Sequence, residues 1–102
     1  MTRLVLEQHF DEPVDEGGYD RMAKRVDPCL EAHGAVWVRS AFSADRRHFV
    51  CEFEAADAEA VRVAYRSAGV AFTRVWVATV YEGADFPEAR ARIEAHRRRF
   101  PG

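Results

Sequence analysis

The sequence predicts an α+β domain of ferredoxin-like βαββαβ order, followed by one further helix at the C-terminus. Three observations carry that expectation. Four short runs have strand character, three of them with apolar residues at every second position. Two intervening stretches space them by three and four residues, and a five-residue polar loop joins the middle two runs. Two split βαβ units in about 80 residues is the ferredoxin-like pattern. At 102 residues the chain has the length of one domain. Residues 1–82 are expected to form that domain and residues 83–102 a helical extension.

Residues 3–10 read as the first strand, with Leu4, Leu6, Gln8 and Phe10 on one face and Val5, Glu7 and His9 on the other. Residues 11–18 are acidic, with Pro13 and a glycine pair, which is loop chemistry. From Tyr19 to His33 the spacing of Met22, Val26 and Cys29/Leu30 predicts a helix. Pro28 is expected to kink or restart it, because proline lacks the backbone donor and crowds the preceding turn. Gly34 stands where a helix C-terminal glycine belongs.

Residues 35–42 and 48–54 form two strands, and the short Ser43–Arg47 connection predicts a β-hairpin. Asp57 caps a second helix, Ala58 to Ala68, with Val61, Ala64 and Tyr65 in its apolar stripe and Gly69 as its stop. Residues 72–81 are expected to be the last strand. After Gly83, the run Asp85-Phe-Pro-Glu88 supplies a capping residue, a first-turn proline and an acid, and the tail helix should reach about Arg99.

In the strand order 4-1-3-2 that this fold implies, the helices cover one face of the sheet. Phe49, Cys51 and Phe53 suit that face, leaving His48, Val50, Glu52 and Glu54 outward. On the second strand Val36, Val38, Ser40 and Phe42 are expected inward, with Trp37 and Arg39 on the open face. The last strand is apolar on both faces and stays unassigned. An open face bearing Val5, Trp37 and Val50 is rarely left in water. A homodimer closed face to face, a dimeric α+β barrel, is the expected assembly.

Composition excludes several function classes. Net charge −2 and a pI near 6.1 argue against a general nucleic-acid binder. No apolar run approaches the ~20 residues of a membrane span, so no membrane partner is expected. No signal peptide is visible, and the cytoplasm is the expected compartment. The two cysteines, Cys29 and Cys51, match neither a disulfide framework nor a zinc spacing. The six glycines form no phosphate loop or dinucleotide fingerprint, and no Gly-x-Ser-x-Gly occurs. Fourteen arginines against one lysine, Lys24, fit codon pressure from a GC-rich genome better than a ligand-binding adaptation.

The run Trp37-Val-Arg-Ser-Ala-Phe-Ser-Ala-Asp45, then Phe49-Val-Cys-Glu-Phe-Glu-Ala55 and the helix to Ala68-Gly69-Val70, resembles a family of short ferredoxin-like proteins of largely unknown function. That family includes an actinobacterial nickel-binding protein. Glu7 and the Trp-x-x-Ser step of the second strand match it too, and the resemblance spans roughly residues 3–82. It implies a small cytoplasmic metal-binding protein for nickel or another divalent ion. One departure stands out: the family often carries histidine where this chain has Arg39, and arginine does not ligate metals at neutral pH.

The candidate metal ligands are Glu7, His9, His48 and Glu52, which neighbouring first and third strands would bring onto one face. Nitrogen and oxygen donors of this kind suit nickel or zinc. The plain reading of the same residues is strand-end hydrogen bonding and ion pairing. Arg39 and Trp37 are the candidate small-molecule contacts. In the alternative reading, a cofactor-free dimeric-barrel enzyme of cyclase, isomerase or monooxygenase type, Arg39 anchors an anion while Glu7, His9 or His48 moves a proton on a small aromatic or polyketide-like substrate. Cys51, between Phe49 and Phe53, reads as a small buried hydrophobe. His96 is expected to pack along the tail stripe with Ile93 and Phe100. The tail's Arg90, Arg92, Arg97, Arg98 and Arg99 are expected to dock on the acidic N-terminal loop of the same or a partner subunit.

Overall fold

Strand β1 (Thr2–His9) opens the computed structural model, which describes all of residues 1–102. Helix α1 (Glu16–Ala32), the hairpin of β2 (Val36–Phe42) and β3 (His48–Ala55), helix α2 (Ala58–Ala68) and strand β4 (Arg74–Val77) follow. A 3-10 turn (Gly83–Asp85) and helix α3 (Pro87–Arg99) complete the chain. The sheet order is β2-β3-β1-β4 and every pairing is antiparallel, so the α+β, ferredoxin-like architecture is present. No helix is long and apolar enough to cross a membrane.

Alternation on β1 and β3 builds the core. Leu4, Leu6, Phe49, Cys51, Phe53 and Ala55 are buried on the face that α1 and α2 cover, together with Val26, Leu30, Val61, Ala64, Tyr65 and Val75. Gln8 shares this face, and its buried amide donates to the Ala71 carbonyl at 2.9 Å. Asp57 caps α2 by accepting from the Ala60 amide at 2.9 Å, and Gly69 ends it in the left-handed conformation that glycine adopts without strain.

Local expectations are corrected in four elements of the chain. Helix α1 starts at Glu16, earlier than periodicity indicated, because Asp15 accepts from the Gly18 amide at 2.7 Å and stabilises a first turn containing two glycines. It also runs unbroken through Pro28. One hydrogen bond is lost there, but Val26 and Leu30 on either side are buried and hold the helix to the core.

Strand β4 spans four residues where ten were expected, because only Leu4 to Glu7 of β1 pair with it in register. Helix α3 begins at Pro87 with Phe86 in the cap position and no side-chain cap, since a proline in the first turn carries the preset φ. Its only substantial packing is against the 3-10 turn, so the basic tail is not seated on the acidic loop of its own chain. His96 is exposed accordingly, with its ring 4.9 Å from that of Phe100.

The fourth correction bears most on function. Trp37 pairs with Phe53 and Arg39 with Glu52, which leaves Val38 as an extra residue in a β-bulge. An inserted residue exchanges the faces on its two sides. Trp37 therefore lies on the helix side with Ser40 and Phe42, and Val36, Arg39 and Ala41 lie on the open face.

A chain ending at Glu82 should keep its fold. Its melting temperature is expected within about 4 °C of the full chain, the shift that roughly 1 kcal/mol makes in a domain of this size. Loss of the cooperative transition by circular dichroism would show that α3 stabilises the sheet.

Candidate functional site

Antiparallel pairing places facing residues on the same side of a sheet, so the β1–β3 register dictates the content of the open face. Four rows run along it: His9 opposite His48, Glu7 opposite Val50, Val5 opposite Glu52, and Arg3 opposite Glu54. Strand β4 adds Arg74 beside Glu7 and Trp76 beside Val5, and β2 adds Arg39 beside Glu52.

His9 and His48 meet directly. Their Nδ1 atoms are 3.2 Å apart and their ring centroids 4.5 Å apart, and both side chains are open to solvent. They stand at the end of the ribbon beside the β2–β3 turn, which Ser43 and Asp45 tie down. Asp45 accepts from the Ser43 hydroxyl at 2.6 Å and from the Arg47 amide at 3.1 Å, and these bonds hold its carboxyl below the usual range. The Ser43 hydroxyl in turn accepts from the His48 amide at 3.0 Å, fixing the backbone that carries the imidazole.

The two carboxylates expected with these histidines are held elsewhere on the face. Glu7 accepts hydrogen bonds from two guanidinium nitrogens of Arg74 and from Trp76 Nε1, the latter at 2.9 Å. Arg74 first, and Trp76 second, hold its carboxyl below the usual glutamate range. Glu52 sits between Arg3 at 3.0 Å and Arg39 at 3.1 Å. Arg3 also reaches Glu54 at 3.1 Å, and Arg39, the candidate anion anchor, extends to Glu82 at 3.8 Å. Nowhere in the chain do three His, Cys, Asp or Glu side chains converge as a ready-made metal cluster.

The open face thus divides into an imidazole pair at one end and an ion-pair lattice over the rest. Arg3 and Arg74 are the functional-face residues that sequence reasoning missed, and the face taken by Trp76 was left unassigned. Arg3 was legible by alternation, since it lies two residues before Val5 on the outward set. Arg74 and Trp76 were not, because a strand apolar on both faces gives no phase. Trp37 lies on the opposite side of the sheet, turned there by the bulge, and its indole N–H donates to Ser40 Oγ at 2.7 Å. Cys51 is the buried hydrophobe expected, with burial pushing its thiol up to about 11.

Comparison with known proteins gives one sequence family and one fold. A family model described as "Nickel responsive protein SCO4226-like" matches residues 5–77, which ends at the last residue of β4 and leaves α3 outside. The crystal structure of SCO4226 from Streptomyces coelicolor A3(2) superposes with a TM-score of 0.71 at 10% identity, covering 78% of this chain and 99% of that one. At that identity the likeness is one of fold. No curated protein matches the chain.

The Glu7 ion pair has a pH signature. A carboxyl held low in the folded state stabilises fully above the unfolded value, about 4.3, and that contribution is lost as pH falls through the folded value. Exposure to solvent keeps that contribution small. Glu7→Gln is therefore expected to flatten the acid limb of a melting-temperature profile below pH about 5. An unchanged limb would show that Arg74 and Glu7 do not pair in solution.

Proposed function

The chain belongs to the SCO4226-like family of nickel responsive proteins, and from that premise we propose that it binds nickel, or another borderline divalent ion, at the His9–His48 pair. The observation that carries this reading is the 3.2 Å separation of the two Nδ1 atoms. Metal–imidazole bonds of about 2.0–2.1 Å require two nitrogens on one ion to lie about 2.9 Å apart at a right angle and about 3.3 Å at the tetrahedral angle. The pair already has that bite, and imidazole is a donor that suits nickel. Facing positions on two paired strands fix the backbone at both residues, so only the two imidazole side chains remain to be ordered on binding.

Arg39 stands where the family often has histidine, and here it neutralises Glu52. That pairing favours a site built on the imidazoles alone from this chain, with Glu7 and Glu52 as flanking ion-paired residues and not ligands. Bound metal there would supply a Lewis-acidic centre or simply a stored ion. Residues His9 and His48 do the holding, while Ser43 fixes one of them through its backbone.

The same face supports a homodimer. Val36, Val50 and Trp76 remain substantially exposed on it, among arginines and carboxylates that alternate in sign. A surface of mixed sign with apolar residues at its centre suits a self-complementary two-fold contact.

Metal-free protein titrated with nickel in a calorimeter, with the metal counted by plasma mass spectrometry, is expected to bind stoichiometrically. His9→Ala or His48→Ala should each weaken binding by more than the roughly 10–100-fold typical of outer-shell partners. Nickel retained at full affinity in the double variant would overturn the assignment. By sedimentation equilibrium the chain is expected to be a dimer, and Val50→Glu, which places a charge at the centre of the open face, is expected to be monomeric. A monomeric wild type would remove the dimer.

A further inference from the structure

The face of the sheet away from the histidines carries a second feature, a cavity of about 440 Å³ between α1 and the β2–β3 ribbon. It exists because α1 packs mainly on α2 and only lightly on β2, and because the bulge at Val38 turns Trp37 to this side. Its walls are the rings of Tyr19, Trp37, Phe49, Phe53 and Tyr65, with Ala23 of α1 lining it as well.

We propose that this cavity is a binding site for a small, flat, neutral aromatic molecule carrying one hydrogen-bonding group. Size is the first argument. Ligand cavities run about 300–1,000 Å³, and one near 150 Å³ already holds benzene. The present one suits a molecule of two or three fused rings.

Polar chemistry is the second argument. A polar line crosses the aromatic lining beside the hydroxyls of Tyr19 and Tyr65: Trp37 Nε1 donates to Ser40 Oγ at 2.7 Å, and Ser40 donates to Cys51 Sγ at 3.1 Å. An apolar pocket with a few convergent polar groups is how proteins orient small organic ligands.

Charge is the third. Burial raises the ionisation of Tyr19, Tyr65 and Cys51, so the interior holds no charged group at neutral pH. At the rim stand Asp27 and Lys24, and Lys24 is ion-paired with Asp20 at 2.8 Å. An anion would find a carboxylate and no free cation, which selects against it.

The proposal is independent of the metal reading, since the two sites lie on opposite faces of the sheet. The test uses the full-length, metal-free chain carrying Trp76→Phe, so that Trp37 is the only tryptophan. Titrated with 2-naphthol, Trp37 emission is expected to quench saturably, with one molecule bound per chain by calorimetry.

The anion 2-naphthoate is expected to bind at least tenfold more weakly. Ala23→Phe, which fills the cavity from α1 and leaves Trp37 the only tryptophan, is expected to weaken 2-naphthol by more than tenfold while the circular dichroism spectrum holds. Ser40→Ala is expected to weaken it about fivefold, the value of one hydrogen bond, and keeps the test decisive should the larger variant not fold. Absence of saturation up to the solubility of 2-naphthol, equal affinity for 2-naphthoate, or binding untouched by both variants would overturn the proposal. A midpoint that moves with protein concentration would assign the cavity to a second copy of the chain and overturn it equally.

Discussion

The pairing of β1 with β3 is the constraint on which the rest of the molecule depends. Its register runs without interruption from Thr2 opposite Ala55 to His9 opposite His48. Because side chains alternate strictly, that register puts Leu4, Leu6, Phe49, Cys51 and Phe53 under the helices and simultaneously aligns the two imidazoles on the other side. A slip of one residue would expose the core and bury Glu7, Glu52 and both histidines without partners. Burial of the apolar set thus sets the position of the candidate metal pair through one hydrogen-bonded ladder.

The bulge at Val38 is the second determinant, and its effects appear on both faces. On the helix side it delivers Trp37 to Ser40 and walls the cavity; on the open side it delivers Arg39 to Glu52. Arg3 and Arg39 together neutralise Glu52, as Arg74 neutralises Glu7. Each exposed pair is worth little on its own. Collectively they leave His9 and His48 as the nitrogen donors on that face outside the arginine–carboxylate pairs, which is the chemical reason the metal reading rests on imidazole.

Much of the fold was legible because its signals are local. Leu4 and Leu6, Phe49 to Phe53, the Asp57 cap and the Gly69 stop each declare their state within a few residues, and all stand where alternation and capping chemistry put them. The candidate site was legible in part for the same reason: outward positions of β1 and β3 follow from the apolar phase, so the meeting of His9 with His48 was within reach. Failures came where the signal is non-local. Trp76 and Arg74 sit on a strand apolar on both faces, and the span of β4 is decided by how much of β1 is left to pair, not by its own residues.

By itself the amino-acid sequence determined the α+β class, the order of elements, the inward faces of β1 and β3, and membership in a nickel responsive family, since these rest on periodicity, capping and residue identity. Only the tertiary structure decided that a bulge reverses Trp37, that arginines occupy Glu7 and Glu52, and that α3 stands off the domain. Those outcomes depend on which strands are long enough to pair and which guanidinium reaches which carboxylate across 13 to 67 residues of chain. No local pattern encodes such distances; hydrogen-bond register and packing set them.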